Sequence, residues 1–399
     1  MLLCTRCHAF SLTRNPLEVV RTPYSLTPSR GNAIHPILMK LIIDDKIPFI
    51  RGLAEQLGSC VYRPGAEISP EDVQDADVLI VRTRTHVNEQ LLKDSSVQLV
   101  VTATIGHDHI DKAYLAQRGI AWRNCPGCNA ESVAQYVRNS LWRAILAGHL
   151  SPTPQDICVG IVGVGHVGSA VSRALRAEGF RTLHCDPPKG ESNTLADLAE
   201  QCQVITLHTP LTTEGAHATY HLADAAFFDA LRQCRVFINA ARGECTDTAA
   251  LKAAIQSGKI ACAVIDTWEN EPNIDRELLD LAFIATPHIA GYSADGKANG
   301  TRMSLQHVID HFHPTPCPQF SVQAPQLPPN FDYAREVVSQ LPSSFSAIYP
   351  WLTSENTILL PHSAFLQLQQ YDSLADTFRL RSAPNSFEFQ RGHYPLRRE

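Results

Sequence analysis

Three titratable residues stand at the ends of predicted strands in the second half of the 399-residue chain. Arg242 follows the run VFINAA at 236–241, Glu271 lies in DTWENEP at 266–272, and His288 lies in TPHIAGY at 286–292. Histidine titrates near neutral pH and suits the removal of a proton from a hydroxyl. Arginine presents a planar fork of donors that matches a carboxylate beside such a hydroxyl. A carboxylate next to the imidazole orients it and favours its protonated form, which is the role open to Glu271. Each residue taken singly also fits an ordinary structural role. Arg242 would serve in a salt bridge at a helix start, Glu271 as an exposed loop acid, and His288 as a loop histidine with its hydrogen bonds satisfied.

A second constellation runs from Cys158 to Asp186. An apolar run with Val159, Ile161 and Val162 meets Gly163, Gly165 and Gly168, spaced G-x-G-x-x-G. A helix-period segment follows, and a short strand then ends in Asp186, 23 residues beyond Gly163. In a strand–turn–helix setting Gly163 serves the tight turn, Gly165 the close approach of a pyrophosphate, and Gly168 the packing of helix on strand. The helix N-terminus offers unpaired N–H groups and a positive dipole end. Asp186 stands where a carboxylate receives a ribose, and its charge opposes a 2′-phosphate, so the pattern predicts NAD rather than NADP. Oxidation of a 2-hydroxy acid by a nicotinamide would need a base for the hydroxyl proton and a cation for the carboxylate, which are the tasks open to His288 and Arg242.

The elements that must position these groups alternate along the chain. Strands are expected at 41–44, 78–83, 99–105 and 120–124, with helices at 49–57, 89–93 and 113–118. A long amphipathic helix at 131–150 ends before Pro152 and Pro154. The unit that opens at 158 continues with a helix at 195–201, strands at 204–208 and 236–239, a helix at 248–257, strands at 261–266 and 283–286, and a helix at 294–312. This βαβ rhythm predicts parallel sheets with helices on both faces. Polar residues at strand ends in the first half (Arg82, Thr83, Arg84, Thr104, Gly106 and His107) are candidate substrate contacts, since ligands bind beyond the carboxyl ends of such strands.

Composition narrows the partners. A net charge of −6 supplies no electrostatic reason for nucleic acid or an anionic membrane. No apolar run approaches the ~18 residues of a spanning helix. The 12 cysteines are scattered without a dense framework, which reads as reduced thiols in a cytoplasmic protein. Cys4, Cys7 and His8 match a haem-attachment pattern, but no apolar export segment precedes them. Cys125, Pro126, Gly127 and Cys128 are read as a turn, because no second pair completes a metal site. Residues 1–38 hold four Arg, no Lys and one acidic residue, Glu18, and are expected to be a disordered extension preceding a start at Met39.

The ordered set of motifs resembles the D-2-hydroxyacid dehydrogenases: 163–168 with Asp186, then NAARG at 239–243, DTWENEP at 266–272 and PHIAG at 287–291. The resemblance implies that Arg242, Glu271 and His288 are catalytic. It implies NAD contacts at Gly163, Gly165, His166, Val167, Gly168, Asp186, Thr209, Ala240, Ala241, Arg242, Asp266 and Gly291. It implies substrate contacts at Thr83, Thr104 and Tyr292, and no metal. The runs TATIGHDH at 102–109, CPGCNA at 125–130, CDPP at 185–188 and HIAGYSADGK at 288–297, with the tail from Phe378 to Glu399, are similar to members that oxidise a phosphorylated four-carbon acid for pyridoxal phosphate synthesis. Thr83 stands where those members are expected to carry Ser, and the GECTD run at 243–247 is more polar than theirs.

The implied architecture is α/β. It has two doubly wound, Rossmann-like parallel-sheet domains, one for substrate (39–131 with 292–313) and one for NAD (132–291), plus a small α/β dimerisation module at 320–399. A homodimer in the cytoplasm is expected. The substrate phosphate needs a cationic pocket, for which Arg82, Arg84, Lys297 and Arg302 are all candidates. Two alternatives remain open at this point: a 3-phosphoglycerate or glyoxylate type of dehydrogenase, and a non-catalytic NAD-sensing scaffold.

Overall fold

The computed structural model describes residues 39–322, 324 and 386–392. The expectations for 1–38, and most of those for 320–399, lie outside the described residues. Strands β1 (Met39–Asp44), β2 (Gly58–Arg63), β3 (Val78–Val81), β4 (Leu99–Thr102) and β5 (Ala121–Arg123) form one sheet in the order β2-β1-β3-β4-β5, with every pairing parallel. All four residues of β3 and of β4 are buried, as they must be in a parallel sheet covered on both faces. The short helices α1 (Pro70–Val73), α2 (Glu89–Leu92) and α3 (Lys112–Arg118) close one face around Leu79, Val81, Val100 and Leu115. Asn88 and Asp111 cap α2 and α3 by accepting from the N–H groups of Leu91 and Tyr114.

Helix α4 (Ala130–Leu146) carries the chain to a second parallel sheet. There β6 (Cys158–Val162), α5 (His166–Ala177), β7 (Arg181–Cys185), α6 (Leu195–Gln201), β8 (Val204–Leu207), α7 (Ala225–Ala230), β9 (Val236–Asn239), α8 (Thr248–Gln256), β10 (Cys262–Ile265), α9 (Arg276–Leu281) and β11 (Ile284–Ala285) follow in turn. The strand order is β11-β10-β9-β8-β6-β7. Side chains alternate across it: Val236 and Ile238 face α4 and α5, while Phe237 faces the opposite core with Phe227, Phe228 and Leu251. Helix α10 (Ala294–Phe312) then returns to the first sheet, burying Leu305, Val308 and Ile309 against Leu41, Ile43 and Val101. Helix α11 (Ser386–Gly392) seats Phe387 in the second sheet's core at 1% exposure.

Several elements differ from the sequence reading. The helix expected at 49–57 is a single 3₁₀ turn at Ala54–Gln56, and β2 follows it unanticipated. Phe49 and Gly52 adopt φ of 61° and 81°, which no right-handed helix accepts. The six-residue helices α7 and α9 were not foreseen, and two turns are too short to show a period. Asp224 and Asp275 accept hydrogen bonds at their N-termini, and these caps were the available signal.

Each sheet has one place where successive connections run to opposite sides, between β1 and β3 in the first and between β6 and β8 in the second. Such switch points open a crevice beyond the carboxyl ends of the strands. Arg82 and Asp44 stand at the first, Gly163 and His208 at the second.

Candidate active site

The three glycines behave as their spacing predicts. Gly163 has φ of 85°, and a Cβ there would lie 2.8 Å from the His208 carbonyl oxygen. At Gly168 a Cβ would come within 2.0 Å of the Gly163 carbonyl oxygen, so helix and turn pack with no room for a side chain. A Cβ on Gly165, the N-cap of α5, would meet nothing within 4 Å. That open space at a helix N-terminus is the cradle a pyrophosphate needs. The carboxylate of Asp186 accepts from the Val164 N–H at 2.7 Å and so closes the loop over the end of β7. His166 is exposed and Val167 half-buried in the first turn of α5. These residues fit NAD.

The other expected cofactor positions line the same edge with varied roles. Thr209 Oγ1 lies 3.5 Å from Cys245 Sγ, half-buried after β8. Ala240 is half-buried after β9, whereas Ala241 is buried and its carbonyl accepts from Arg242 Nη1 at 2.7 Å. The Gly291 carbonyl accepts from Asn129 Nδ2 at 3.3 Å. Asp266 departs furthest from the expectation. It is 1% exposed, and its carboxylate is taken up by the Thr286 hydroxyl and the Ile289 N–H, both at 2.7 Å, and the Ala290 N–H at 2.9 Å. Burial pushes its carboxyl above the usual range despite these donors.

What Asp266 does in this arrangement is hold the loop after β11. His288 adopts φ of 57°, uncommon for a residue with a side chain. Its N–H donates to the Asp266 carbonyl at 2.8 Å while the next two N–H groups reach the Asp266 carboxylate. The imidazole is thereby aimed at Glu271, whose Oε2 lies 2.8 Å from His288 Nδ1. Glu271 Oε1 accepts from the Trp268 N–H at 2.9 Å, and Trp268 Nε1 donates to the Thr286 carbonyl. Burial would raise the Glu271 carboxyl, but His288, the Trp268 N–H and the charge of Arg391 together hold it below the usual range. It therefore accepts Nδ1–H, which leaves Nε2 as the nitrogen with a lone pair for a ligand.

Arg242, Glu271 and His288 follow β9, β10 and β11, neighbours in the second sheet, at one edge. The first sheet meets that edge through the loop after β4. A Cβ on Gly106 would lie 2.6 Å from Arg242 Nη2, and Asp108 Oδ2 pairs with the same nitrogen at 3.3 Å. Thr104 Oγ1 donates to the Gly106 carbonyl at 2.9 Å and so shapes this loop. Thr83 is exposed just beyond β3. Tyr292, four residues past His288, receives a hydrogen bond on its hydroxyl from Arg391 Nε at 3.0 Å. Lys297 Nζ stands 3.9 Å from the centroid of the same ring.

Among the four cations weighed for a phosphate, the structure separates two from the other two. Arg82 pairs with the buried Asp44 at the first switch point, and its charge reaches Tyr292 and Lys297. Arg84 is exposed and pairs with Glu388. Arg302 is exposed on α10, on the side of Cys125. Arg391, Asp108 and Asp266's hold on the loop were missed in the sequence. A lone Arg in a tail and an Asp among histidines carry no local signal. Cys125 is a packing thiol: burial pushes it up to about 11, and its sulfur lies 3.3 Å from the Gly300 carbonyl.

Residues 129–290 match the family model described as the D-isomer specific 2-hydroxyacid dehydrogenase, NAD binding domain. The erythronate-4-phosphate dehydrogenase of Bacteroides thetaiotaomicron is 45% identical over 370 residues, covering 90% of this chain and 97% of its own. The enzyme of that name from Chromohalobacter salexigens is 39% identical over 369 residues, covering 90% and 92%. Among solved structures, NAD-bound 3-phosphoglycerate dehydrogenase of Entamoeba histolytica superposes with a TM-score of 0.60 at 25% identity, covering 72% of this chain and 99% of that one. By its glycine loop, its Arg–Glu–His strand ends and these likenesses over nearly its whole length, the chain belongs to the erythronate-4-phosphate dehydrogenases within the D-2-hydroxyacid dehydrogenase family.

Proposed function

We propose that the protein oxidises 4-phospho-D-erythronate at C2 to 2-oxo-3-hydroxy-4-phosphobutanoate, with NAD as acceptor, in the synthesis of pyridoxal 5′-phosphate. The observation that carries this reading is the 2.8 Å contact between His288 Nδ1 and Glu271, at an edge shared with Arg242 and the glycine loop. The identity to relatives of that activity supports the choice of acid.

Arg242 holds the C1 carboxylate through its guanidinium fork. His288 Nε2 accepts the C2 hydroxyl proton, and the imidazolium so formed is stabilised by Glu271 through Nδ1. Bound NAD supplies the acceptor for the hydride that leaves C2. Gly165 and the N-terminus of α5 hold the pyrophosphate, and Asp186 the ribose. Asp266 keeps the His288 loop in place. Tyr292 lies beside the bound acid, and Thr83 and Thr104 contribute hydroxyls from the first sheet. We place the enzyme in the cytoplasm as a homodimer, which thiols such as Cys125, Cys234 and Cys262, buried in the reduced state, and the resemblance of the tail support.

Initial rates of NADH formation with 4-phospho-D-erythronate, D-erythronate, 3-phospho-D-glycerate and glycolate test the reading. The phosphorylated four-carbon acid is expected to have a kcat/KM at least about 100-fold above the others. His288→Asn is expected to lower kcat by about 10²- to 10⁴-fold. A higher kcat/KM for 3-phospho-D-glycerate would move the protein to another branch of the family. NADH binding without turnover of any acid would favour a scaffold.

A further inference from the structure

Three segments of the second sheet's carboxyl edge are joined at one side chain outside the reacting groups. The segment after β8 runs from Thr209 to His221, the segment after β9 carries Arg242, and the segment after β10 carries Glu271. His221 donates its backbone N–H to the Glu244 carbonyl at 2.8 Å, just past Arg242. Its Nε2 lies 2.7 Å from Glu269 Oε1, two residues before Glu271. On the other side of the ring Nδ1 stands 3.8 Å from Asp247 Oδ2, and Tyr220 stacks on its face at 4.1 Å between centroids. His221 adopts φ of 49°, a conformation that persists in a residue with a side chain where the surroundings hold it.

Glu269 is the hub of this arrangement. An ionised carboxylate only accepts, so Nε2 of His221 carries the proton of their hydrogen bond. The other oxygen, Oε2, accepts from the Thr248 N–H in the first turn of α8 at 2.9 Å, where the helix dipole also favours a negative charge. Glu269 is thus pinned from two sides, by α8 and by His221. The residue before it is Trp268, whose N–H donates to Glu271 Oε1, the carboxylate that faces His288. The same stretch is pressed against the Arg242 segment. A Cβ on Gly243 would lie 1.9 Å from the Trp268 carbonyl carbon and 2.4 Å from the Glu269 nitrogen. A shift of the Trp268–Glu269 peptide therefore moves the donor that orients Glu271, in a site where about 1 Å of misplacement can cost about 10²-fold in rate.

We propose that His221 is a positioning residue for the His288–Glu271 pair, acting through Glu269 and the Trp268 N–H. This rests on the reading above, in which that pair takes the hydroxyl proton. Asp247, which caps α8 by accepting from the Ala249 and Ala250 N–H groups, presents a second carboxylate to the same ring and so ties the helix into the hold on Glu269.

The test uses the full chain and a double-mutant cycle. Steady-state kinetics with 4-phospho-D-erythronate and NAD are measured for His221→Ala, His221→Gln and Glu269→Gln, each in the wild-type and in the Glu271→Gln background. His221→Ala is expected to lower kcat about 10- to 30-fold, with KM for both substrates changed less than about threefold. His221→Gln, whose amide still donates to Glu269, should recover most of that loss. Glu269→Gln keeps the size of the side chain but loses the charge that both donors share, and should lower kcat in the same direction. It carries the same cycle if His221→Ala does not fold. In the Glu271→Gln background each factor should shrink to less than about threefold, because the group being positioned has lost its charge. Equal factors in the two backgrounds would make His221 a general support of the fold and overturn the proposal. A rise in KM with kcat unchanged, or no change in either, would overturn it as well. A Glu271→Gln enzyme as active as the wild type would instead sink the reading of the His288–Glu271 pair itself.

Discussion

The pairing of His288 with Glu271 sets a pH dependence whose sign is fixed by the carboxylate. Glu271 is held below its ordinary value of 4.5, so its ionised form is favoured by the fold. Its stabilising contribution is therefore complete above about pH 4.5 and is lost as the pH falls through the lower folded value. Glu271→Gln is expected to have a lower Tm than the wild type at pH 7, with the two curves converging toward pH 3 in thermal unfolding. The same variant removes the charge that stabilises the imidazolium, so kcat should fall about 10²- to 10³-fold at neutral pH. The acid limb of its kcat/KM profile should move to lower pH. A profile unmoved by the substitution would mean that Glu271 only positions the ring. Both residues were legible in the sequence because their chemistry is specific and they sit in short strand-end motifs. Asp266 was legible as a residue but not in its arrangement, since its three accepted hydrogen bonds come from a loop about twenty positions away.

At the scale of the element, the strand–turn–helix of β6 and α5 separates two kinds of glycine. A methyl group on Gly168 would stand 2.0 Å from backbone, whereas on Gly165 it would enter open space. Gly168→Ala is expected to cost about 1–3 kcal/mol or more in denaturant unfolding. Gly165→Ala should leave stability within about 1 kcal/mol, the range of a changed N-cap. It should nevertheless raise the NADH dissociation constant at least tenfold in a fluorescence titration, because the methyl fills the space the pyrophosphate needs. Equal losses of stability in the two variants would contradict this division. The glycine spacing alone pointed to these roles because each follows from backbone geometry within six residues. The helix expected at 49–57 failed because positive φ at Phe49 and Gly52 is a choice made by packing, which apolar spacing does not report. Helices α7 and α9 are likewise sustained by buried Phe227, Phe228 and Leu278 more than by any period of their own.

At the scale of the molecule, the site exists because the carboxyl edges of two sheets face each other. Asp108 of the first sheet's edge pairs with Arg242 of the second, the group assigned to the substrate carboxylate. Both partners are partly exposed, which limits such a pair to about 0.2–1 kcal/mol. Asp108→Asn is accordingly expected to lower KM for the acid by no more than about fivefold, with kcat little changed, in steady-state kinetics. A marked rise in KM would show that Asp108 places the arginine rather than competes for it. By itself the sequence determined the parallel α/β class, the cofactor loop and, through its ordered motifs, the three residues proposed to carry the reaction, because these depend on local periodicity, backbone geometry and functional-group chemistry. Only the tertiary structure decided which cations gather at Tyr292, that Arg391 arrives there on a helix nearly 100 residues further along the chain, and that Asp108 meets Arg242 across the cleft. Those contacts join segments 99 and 134 residues apart, and their partners are chosen by how the sheets and helices pack, which no local pattern records.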